Sequence, residues 1–298
     1  MTENWDDLRI FLAVARYETL SAAGRHIKLD PATVGRRISR IEDLLGLSLF
    51  VRSTFGYALT DAGNRMLDHA ARVEQAMLGL TEEISGQTNS LSGQIRIGAP
   101  DGCANFLLPQ VCARILDQNP NLDIQIVALP RVINLTKREA DIAIAVSPPE
   151  TGRLTAQKLT DYKLHLAASE EYLRDKPPLI ELSDVKGHRF IGYIADMIFD
   201  KELDYLTDLG VQRLPLASNS VAVQFNWLRA GAGLGVVHDF ALPFAPVLKR
   251  VLTDKFSLTR SFYLIRHYED RRMDRMNKFV EALAKEIRIE LDHLERSS

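Results

Sequence analysis

Three arginines, Arg36, Arg37 and Arg40, stand on the stretch LDPATVGRRISRIEDLLG beside residues as small as Ala32, Thr33 and Gly35. A guanidinium is a planar fork of donors that matches a phosphate or the edge of a guanine, and a helix face without bulky side chains can come close to a base pair. From Arg25 to Arg52 there are six Lys or Arg against three Asp or Glu, although the whole chain carries a formal charge of −2. The local excess is what a nucleic acid would meet. Other chemistries lack their residues: seven histidines and two cysteines fall at no metal spacing, and there is no GxSxG, P-loop or HExxH motif. GAGLG at 231–235 follows a helical stretch instead of a strand and reads as a helix C-terminus, not a dinucleotide loop. No catalysis, cofactor or metal is expected.

Something must present those arginines. Apolar Leu8, Phe11, Leu12, Val14 and Ala15 repeat at helical spacing and predict a first helix over residues 5 to 17. In TLSAAGRHI, Ser21 is a candidate N-cap, and Ala22, Ala23 and Gly24 let another helix pass close. Asp30 and Pro31 then open a third helix, the acid accepting from free N–H groups and the proline tolerated where no donor is needed. Val34, Ile38, Ile41 and Leu45 form its inward stripe, Ala32, Gly35, Arg36, Ser39 and Arg40 lie broadly opposite, with Thr33 and Arg37 on the shoulder, and Gly46 closes it. LSLFVRSTFGYALT predicts two strands, near 48 to 51 and 57 to 59, around a turn at Gly56, with Arg52, Ser53 and Thr54 at the tip for phosphate or minor-groove contact.

The run from FLAVARYETLSAAGRHIKLDPATVGRRIS to ALTDAG, together with SGQIRIG at 92–98, resembles the winged helix-turn-helix and following segment of LysR-type transcriptional regulators. The resemblance implies an N-terminal winged helix-turn-helix over residues 1–61, a linker helix and hinge over 62–91 that pairs two chains, and a bilobal α/β effector domain over 92–298 like type 2 periplasmic binding proteins. Similar proteins often carry a Ser-Gln pair at the start of the reading helix and a Ser further on; this chain has Asp30, Pro31 and Gly35, so that glutamine's groove contact does not transfer.

Thr60 is the expected cap of the linker helix, whose stripe of Leu67, Ala70, Glu74, Met77, Thr81 and Ile84 looks too isolated to be buried within its own chain and so predicts a homodimer. Similar proteins are usually tetramers. From residue 95 strands and helices alternate: QIRIGAP, a helix from 105 to 117, LDIQIVAL, a short helix at 132 to 137, ADIAIAV, HRFIGY, LPLASN, a helix from 220 to 230, LGVVH, RSFYLIRH and a terminal helix over 270 to 290. A parallel sheet in two lobes is expected. Cys103 and Cys112, nine apart on one such helix, would face opposite sides and simply pack.

Ligands of open sheets sit beyond the carboxyl ends of strands and between lobes. Those ends supply Pro100, Asp101, Arg131 and Ser147 from one half, and Tyr193, Ser218, Asn219, Ser220 and His238 from the other. Asp101 disfavours an anionic effector unless Arg131 offsets it. The expected function is a cytoplasmic, sequence-specific regulator that binds double-stranded promoter DNA and a small-molecule effector of unknown identity. A solute-binding or transport component with the same bilobal fold is the alternative, opposed by the first sixty residues and by the absence of a signal-like or membrane-spanning segment.

Overall fold

The structure, a computed structural model, describes residues 5–53, 56–84, 91–128, 140–149, 154–206, 209–211, 213–268, 270 and 273–298. The chain divides into two compact units, Met1–Asn89 and Ser90–Ser298.

The first unit is built of α1 (Trp5–Tyr17), α2 (Leu20–Ile27), α3 (Pro31–Leu45), the hairpin β1 (Phe50–Ser53) and β2 (Gly56–Leu59), and α4 (Asp61–Ile84). The cap of α2 is Thr19, two residues before the expected Ser21. Glu18 adopts a left-handed φ of 57°, which ends α1 at once and leaves the Thr19 hydroxyl oxygen to accept from the Ala22 N–H at 3.2 Å. A Cβ on Gly24 would lie 2.5 Å from the Leu29 carbonyl oxygen, so only glycine lets the turn into α3 pass this close. Asp30 Oδ1 accepts from the Ala32 N–H at 2.9 Å and Thr33 N–H at 3.4 Å, Pro31 takes the first helical position, and Gly46 closes α3 at φ 62°. Val34, Ile38 and Ile41 are buried in a core with Phe11 and Phe50, whereas Leu45, at the end of the expected stripe, is exposed.

Thr60 caps α4, accepting from the Gly63 N–H at 3.0 Å and donating to the Ser48 carbonyl at 2.7 Å. The expectation that the α4 stripe finds no partner in its own chain is corrected over its first half. Ala70 and Ala71 are buried in the first unit's core, Met66 and Leu67 pack against it, and Glu74 pairs with Arg16 of α1. Val73 and Met77 remain exposed at 40% and 42%, while the side chains of Thr81 and Ile84 lie outside the described set.

The second unit runs β3 (Ser92–Ala99), α5 (Asp101–Phe106), α6 (Leu108–Gln118), β4 (Asn121–Ala128), β5 (Ile142–Ala145), β6 (Leu154–Ser169), α7 (Glu170–Arg174), β7 (Phe190–Gly192), β8 (Leu216–Ala217), α8 (Val221–Arg229), β9 (Leu234–His238), β10 (Leu248–Val251), β11 (Leu258–His267) and α9 (Asp274–Arg296). The expected helix at 132–137 falls outside the described residues. Among the described residues one sheet has the order β4-β3-β5-β11-β6-β9-β7-β8, with β10 also on β6. It is mixed, not parallel. β3 pairs parallel with β4 and β5, and β7 with β8 and β9, but β6 and β11 run antiparallel to each other and to their other neighbours. Strand β6, unforeseen in sequence because Lys158, Asp161 and Lys163 interrupt its apolar pattern, crosses with β11 from one lobe to the other.

The register between them shifts at Phe262/Tyr263, opposite Leu159, and the Leu159 carbonyl accepts instead from Arg288 Nε of α9 at 2.8 Å. Such a bulge bends a strand locally. Helix α9 is fastened to α6 by Arg114, whose Nε meets Glu286 at 2.8 Å and whose terminal nitrogen meets the buried Glu290 at 2.6 Å.

A break at Leu107 puts Cys103 and Cys112 on separate helices, and both are buried in one core cluster instead of facing apart. Burial pushes the Cys112 thiol up to about 11 and the Cys103 thiol further, so both stay protonated and unreactive. At the lobe junction Tyr162 stacks on Phe262 at 4.2 Å and on His238 at 5.4 Å. His238 is 5% exposed, its Nδ1 has no hydrogen-bond partner among the described residues, and burial holds it down at about 4 against 6.5 for a free histidine.

Two outcomes follow from this packing. Gly24→Ala forces the Leu29 carbonyl aside and destabilises the first unit by about 1–3 kcal/mol, which amide hydrogen exchange across α2 and α3 reads as faster opening; unchanged exchange would refute the close approach. For His238 the unfolded chain takes up the proton first, because its pKa is the higher of the two. Stability is therefore intact above pH 6.5 and falls by about 3 kcal/mol as pH approaches 4. In urea denaturation from pH 7.5 to 4.5, His238→Phe should flatten that decline, the residual slope belonging to other groups such as His188, which burial also lowers.

Candidate nucleic-acid interface and effector cleft

The outer face of α3 and the hairpin form a concave surface of about 590 Å³, lined from Ala32 through Gly35, Arg36, Ser39 and Arg40 to the exposed Asp43 and Leu44 on one side and by Arg52 and Tyr57 on the other. Its shape follows from the sequence of α3, where small residues at the helix start leave room and the longer side chains begin one turn later. Ala32, Arg36 and Arg40 are exposed, and Thr33 is half-buried. Arg36 donates to the Thr33 hydroxyl oxygen at 3.1 Å, while the Arg40 guanidinium has no protein partner among the described residues.

The other two arginines are tied to acids. Arg37 meets Asp7 of α1 at 2.5 Å, and the Asp7 side chain is only 8% exposed. Arg52 donates to Glu42 at 2.8 Å and to Ser39 at 3.2 Å and lies 5.8 Å from the centre of the Tyr57 ring. The second oxygen of Glu42 accepts from the Leu49 and Phe50 N–H groups at 2.8 and 3.1 Å, so one carboxylate sets the hairpin against the helix. Ser53 pairs with Gly56 across the hairpin, and Thr54 lies outside the described residues. Glu42 and Asp7 are the residues sequence reasoning missed here; nothing in the periodicity of α3 marks a charged residue as a brace.

In the second unit the strand ends converge as expected, and several of their side chains bond directly to one another. Pro100 ends β3 at the N-cap of α5, and Asp101 points across to α8. Asp101 Oδ2 accepts from the Ser220 hydroxyl at 3.0 Å and from the Ala222 N–H at 2.9 Å, and its Oδ1 accepts from Asn105 Nδ2 at 3.1 Å. The acid thus sits where a bound anion would sit at the start of a helix. Ser220 is also the cap of α8, accepting from the Val223 N–H at 3.3 Å. A second bond crosses between the lobes, from the Ser147 hydroxyl to Asp200.

Ser218 is occupied as well, its hydroxyl oxygen accepting from the Ser220 N–H at 3.1 Å and its carbonyl from Gln224 Nε2 at 2.7 Å. Asn219 and Tyr193 are half-buried, and their polar side-chain atoms have no hydrogen-bond partner among the described residues. Tyr193 packs against Tyr205 at 5.9 Å, and burial raises its phenol well above the usual range, so it stays neutral. His238 lies beneath this layer, next to Gly102, where an added Cβ would be 3.1 Å from its ring. Arg131 lies outside the described residues. Asp200 and Gln224 were not foreseen. Gln224 carries one legible signal, a polar residue between apolar Val221, Phe225 and Leu228 on the inward side of a helix.

Among the described residues no group of three His, Cys, Asp or Glu is placed to hold a metal, and no helix is long and apolar enough to cross a membrane.

Comparison with known proteins agrees with both halves of this description. The family of bacterial regulatory helix-turn-helix proteins of the lysR family matches residues 5–64, and the LysR substrate binding domain matches residues 88–288. The HTH-type transcriptional regulator PtxR of Pseudomonas aeruginosa is 27% identical over 242 residues, 80% of this chain and 77% of that protein. The HTH-type transcriptional activator TtdR of Escherichia coli is 26% identical over 259 residues, 82% of this chain and 81% of its own. Among solved structures, full-length OxyR from Pseudomonas aeruginosa superposes with a TM-score of 0.71 at 17% identity, covering 97% of this chain and 95% of that one. CrgA of Neisseria meningitidis superposes with a TM-score of 0.58 at 21% identity, covering 96% and 99%. A winged helix-turn-helix followed by a two-lobed α/β domain, matched along nearly its whole length by regulators of this construction, places the chain in the LysR family of DNA-binding transcriptional regulators.

Proposed function

We propose that α3 enters the major groove of promoter DNA with its small-residue end leading, Ala32 and Thr33 against base edges, Arg36 and Arg40 reaching guanines or phosphates, and Arg52 and Ser53 meeting the flanking backbone. The observation that carries this reading is the exposed concave face of α3 and hairpin, in which Arg40 has no protein partner among the described residues. Arg37, held by a buried acid, acts by fixing α1 against α3. The exposed Val73 and Met77 of α4 support pairing of two chains through that helix, so that two reading heads address two half-sites. The protein acts in the cytoplasm, where its DNA is.

Its activity is set by a small molecule bound between the lobes, beside Pro100, Asp101, Ser147, Tyr193, Asn219 and Ser220. A ligand shifts such an equilibrium only through contacts that differ between arrangements, and the bonds from Asp101 and Ser147 across the lobes are ones that a change in the lobes' arrangement would break.

Electrophoretic mobility across a salt series, on DNA upstream of the protein's own gene, tests the first part. Arg40→Ala should weaken the complex about ten- to a hundred-fold, or reduce its salt slope by about one if the contact is to phosphate. Arg37→Ala should lower the stability of the first unit, because it leaves Asp7 buried and unpaired. Equal binding by Arg40→Ala and the parent removes α3 as the reading surface. For the second part, Asp101→Ala should loosen the lobes, seen as faster amide exchange in the first turn of α8 and a larger radius of gyration in solution scattering. Unchanged values of both would mean that the Asp101 bonds do not hold the lobes together.

A further inference from the structure

Within the second lobe, next to the cleft, lies a cavity of about 250 Å³. Its wall is made mainly by Ile191, Ile198, Leu203, Leu206, Val211 and Leu214, with the Tyr193 and Tyr205 rings at one side. A void of only about 10 Å³, room for a single water, shares Tyr193, Tyr205, Gln224 and Val236 with it and continues to His238. Apolar pockets of about 150 Å³ already admit benzene. The volume therefore suits one ring with a small substituent.

The polar groups in the wall define the charge of that occupant. No Lys, Arg or His lines the larger cavity among the described residues, and its one acid, Asp204, accepts from the Leu206 N–H at 3.3 Å. A carboxylate entering here would shed its hydration and meet no cation among the described lining residues. The helix N-terminus that could receive an anion is already filled by Asp101, through the Ser220 hydroxyl and the Ala222 N–H. Two groups remain for a neutral ligand. Gln224 is 7% exposed and spends its Nε2 on the Ser218 carbonyl, leaving Oε1 as an acceptor, and the Tyr193 hydroxyl has no partner among the described residues.

Resting on the effector reading above, we propose that this second-lobe chamber is where the effector's body sits, and that it takes an uncharged, ring-sized molecule bearing one hydroxyl or similar donor that bonds to Gln224 Oε1. The ligand reports to the lobes through Tyr193 and α8, the helix whose first turn Asp101 grips.

Phenol and benzoate are nearly isosteric and differ in charge at pH 7.5, which makes them the probes. Calorimetric titration of the full chain should give saturable phenol binding, with benzoate at least ten-fold weaker. Leu214→Trp, which fills the chamber from its half-buried wall, should abolish phenol binding. Gln224→Leu, which keeps the volume, should weaken phenol about ten-fold yet leave toluene binding intact, and so decides the matter if the tryptophan variant does not fold. Phenol binding no tighter than benzoate, or unaffected by both substitutions, overturns the proposal. Benzoate binding that alters the protein–operator complex would overturn the ligand class while leaving the effector reading in place, and failure of the unliganded protein to bind operator would strike the regulator reading itself.

Discussion

The lobes of the second unit share one sheet, and that constraint governs how this half of the molecule can respond to anything. Strands β6 and β11 are hydrogen-bonded to each other along ten residue pairs, from Leu258↔Leu164 to His267↔Leu154, and pass through both lobes. Rotating one lobe on the other therefore cannot proceed by sliding; it has to bend these strands. The register shift at Phe262/Tyr263 supplies the place, since β5 joins the sheet on one side of it and β9 and β10 on the other. Arg288 takes the Leu159 carbonyl displaced there, so the bend is braced by the helix behind it. The Tyr162 stack, three residues beyond the unpaired Leu159 on the second-lobe side, fills the same region with aromatic rings.

Given a bend at the strands, the bonds at the far side of the cleft decide which arrangement is preferred. A carboxylate that accepts from a hydroxyl and a backbone N–H at a helix start makes charge-assisted hydrogen bonds, the stronger kind. Asp101 does this across the lobes while Asn105 steadies its other oxygen. The chain has thus placed its own anion in the position that a small acidic ligand would otherwise occupy. A neutral molecule in the second-lobe chamber does not compete with that anion; it acts on α8 from the other side. Selectivity for charge and the resting arrangement of the lobes then share a single cause.

Much of this was legible beforehand, for reasons that differ by element. Helix α3 could be drawn almost whole, because Asp30, Pro31 and Gly46 are local signals whose physics does not depend on the rest of the chain, and Val34, Ile38 and Ile41 need only a core on one side. The α2 cap moved to Thr19 because a left-handed Glu18 turns the chain directly after α1, a conformation that no residue type announces. Strand β6 stayed hidden since its first half carries three exposed residues in succession, Ala156 to Lys158, and its last six residues are buried on both faces, so no single period describes it. The convergence of strand ends was readable from topology, but the bonding among them was not. By sequence Asp101 is a strand-end acid that disfavours an anionic effector, and nothing there says that Ser220 and Ala222, more than a hundred residues later, will meet it.

The arginines of the first unit show the same limit at the scale of one side chain. By type Arg36, Arg37, Arg40 and Arg52 are equivalent, and spacing tells only the helix face or the hairpin; their partners separate them further. The Arg52–Glu42 pair is half-exposed on the arginine side, and such pairs contribute little net stability, so a phosphate can replace Glu42 at small cost while Glu42 keeps its backbone donors. Asp7 is different, because its carboxylate is buried and has no solvent to turn to if Arg37 leaves. Among the described residues Arg40 has no bond to surrender. A chain of net negative charge can then bind a polyanion through a local excess of cations and through how it spends its acids: one anchors the arginine that the fold requires, one lends an arginine that can be released, and among the described residues one arginine is left unclaimed.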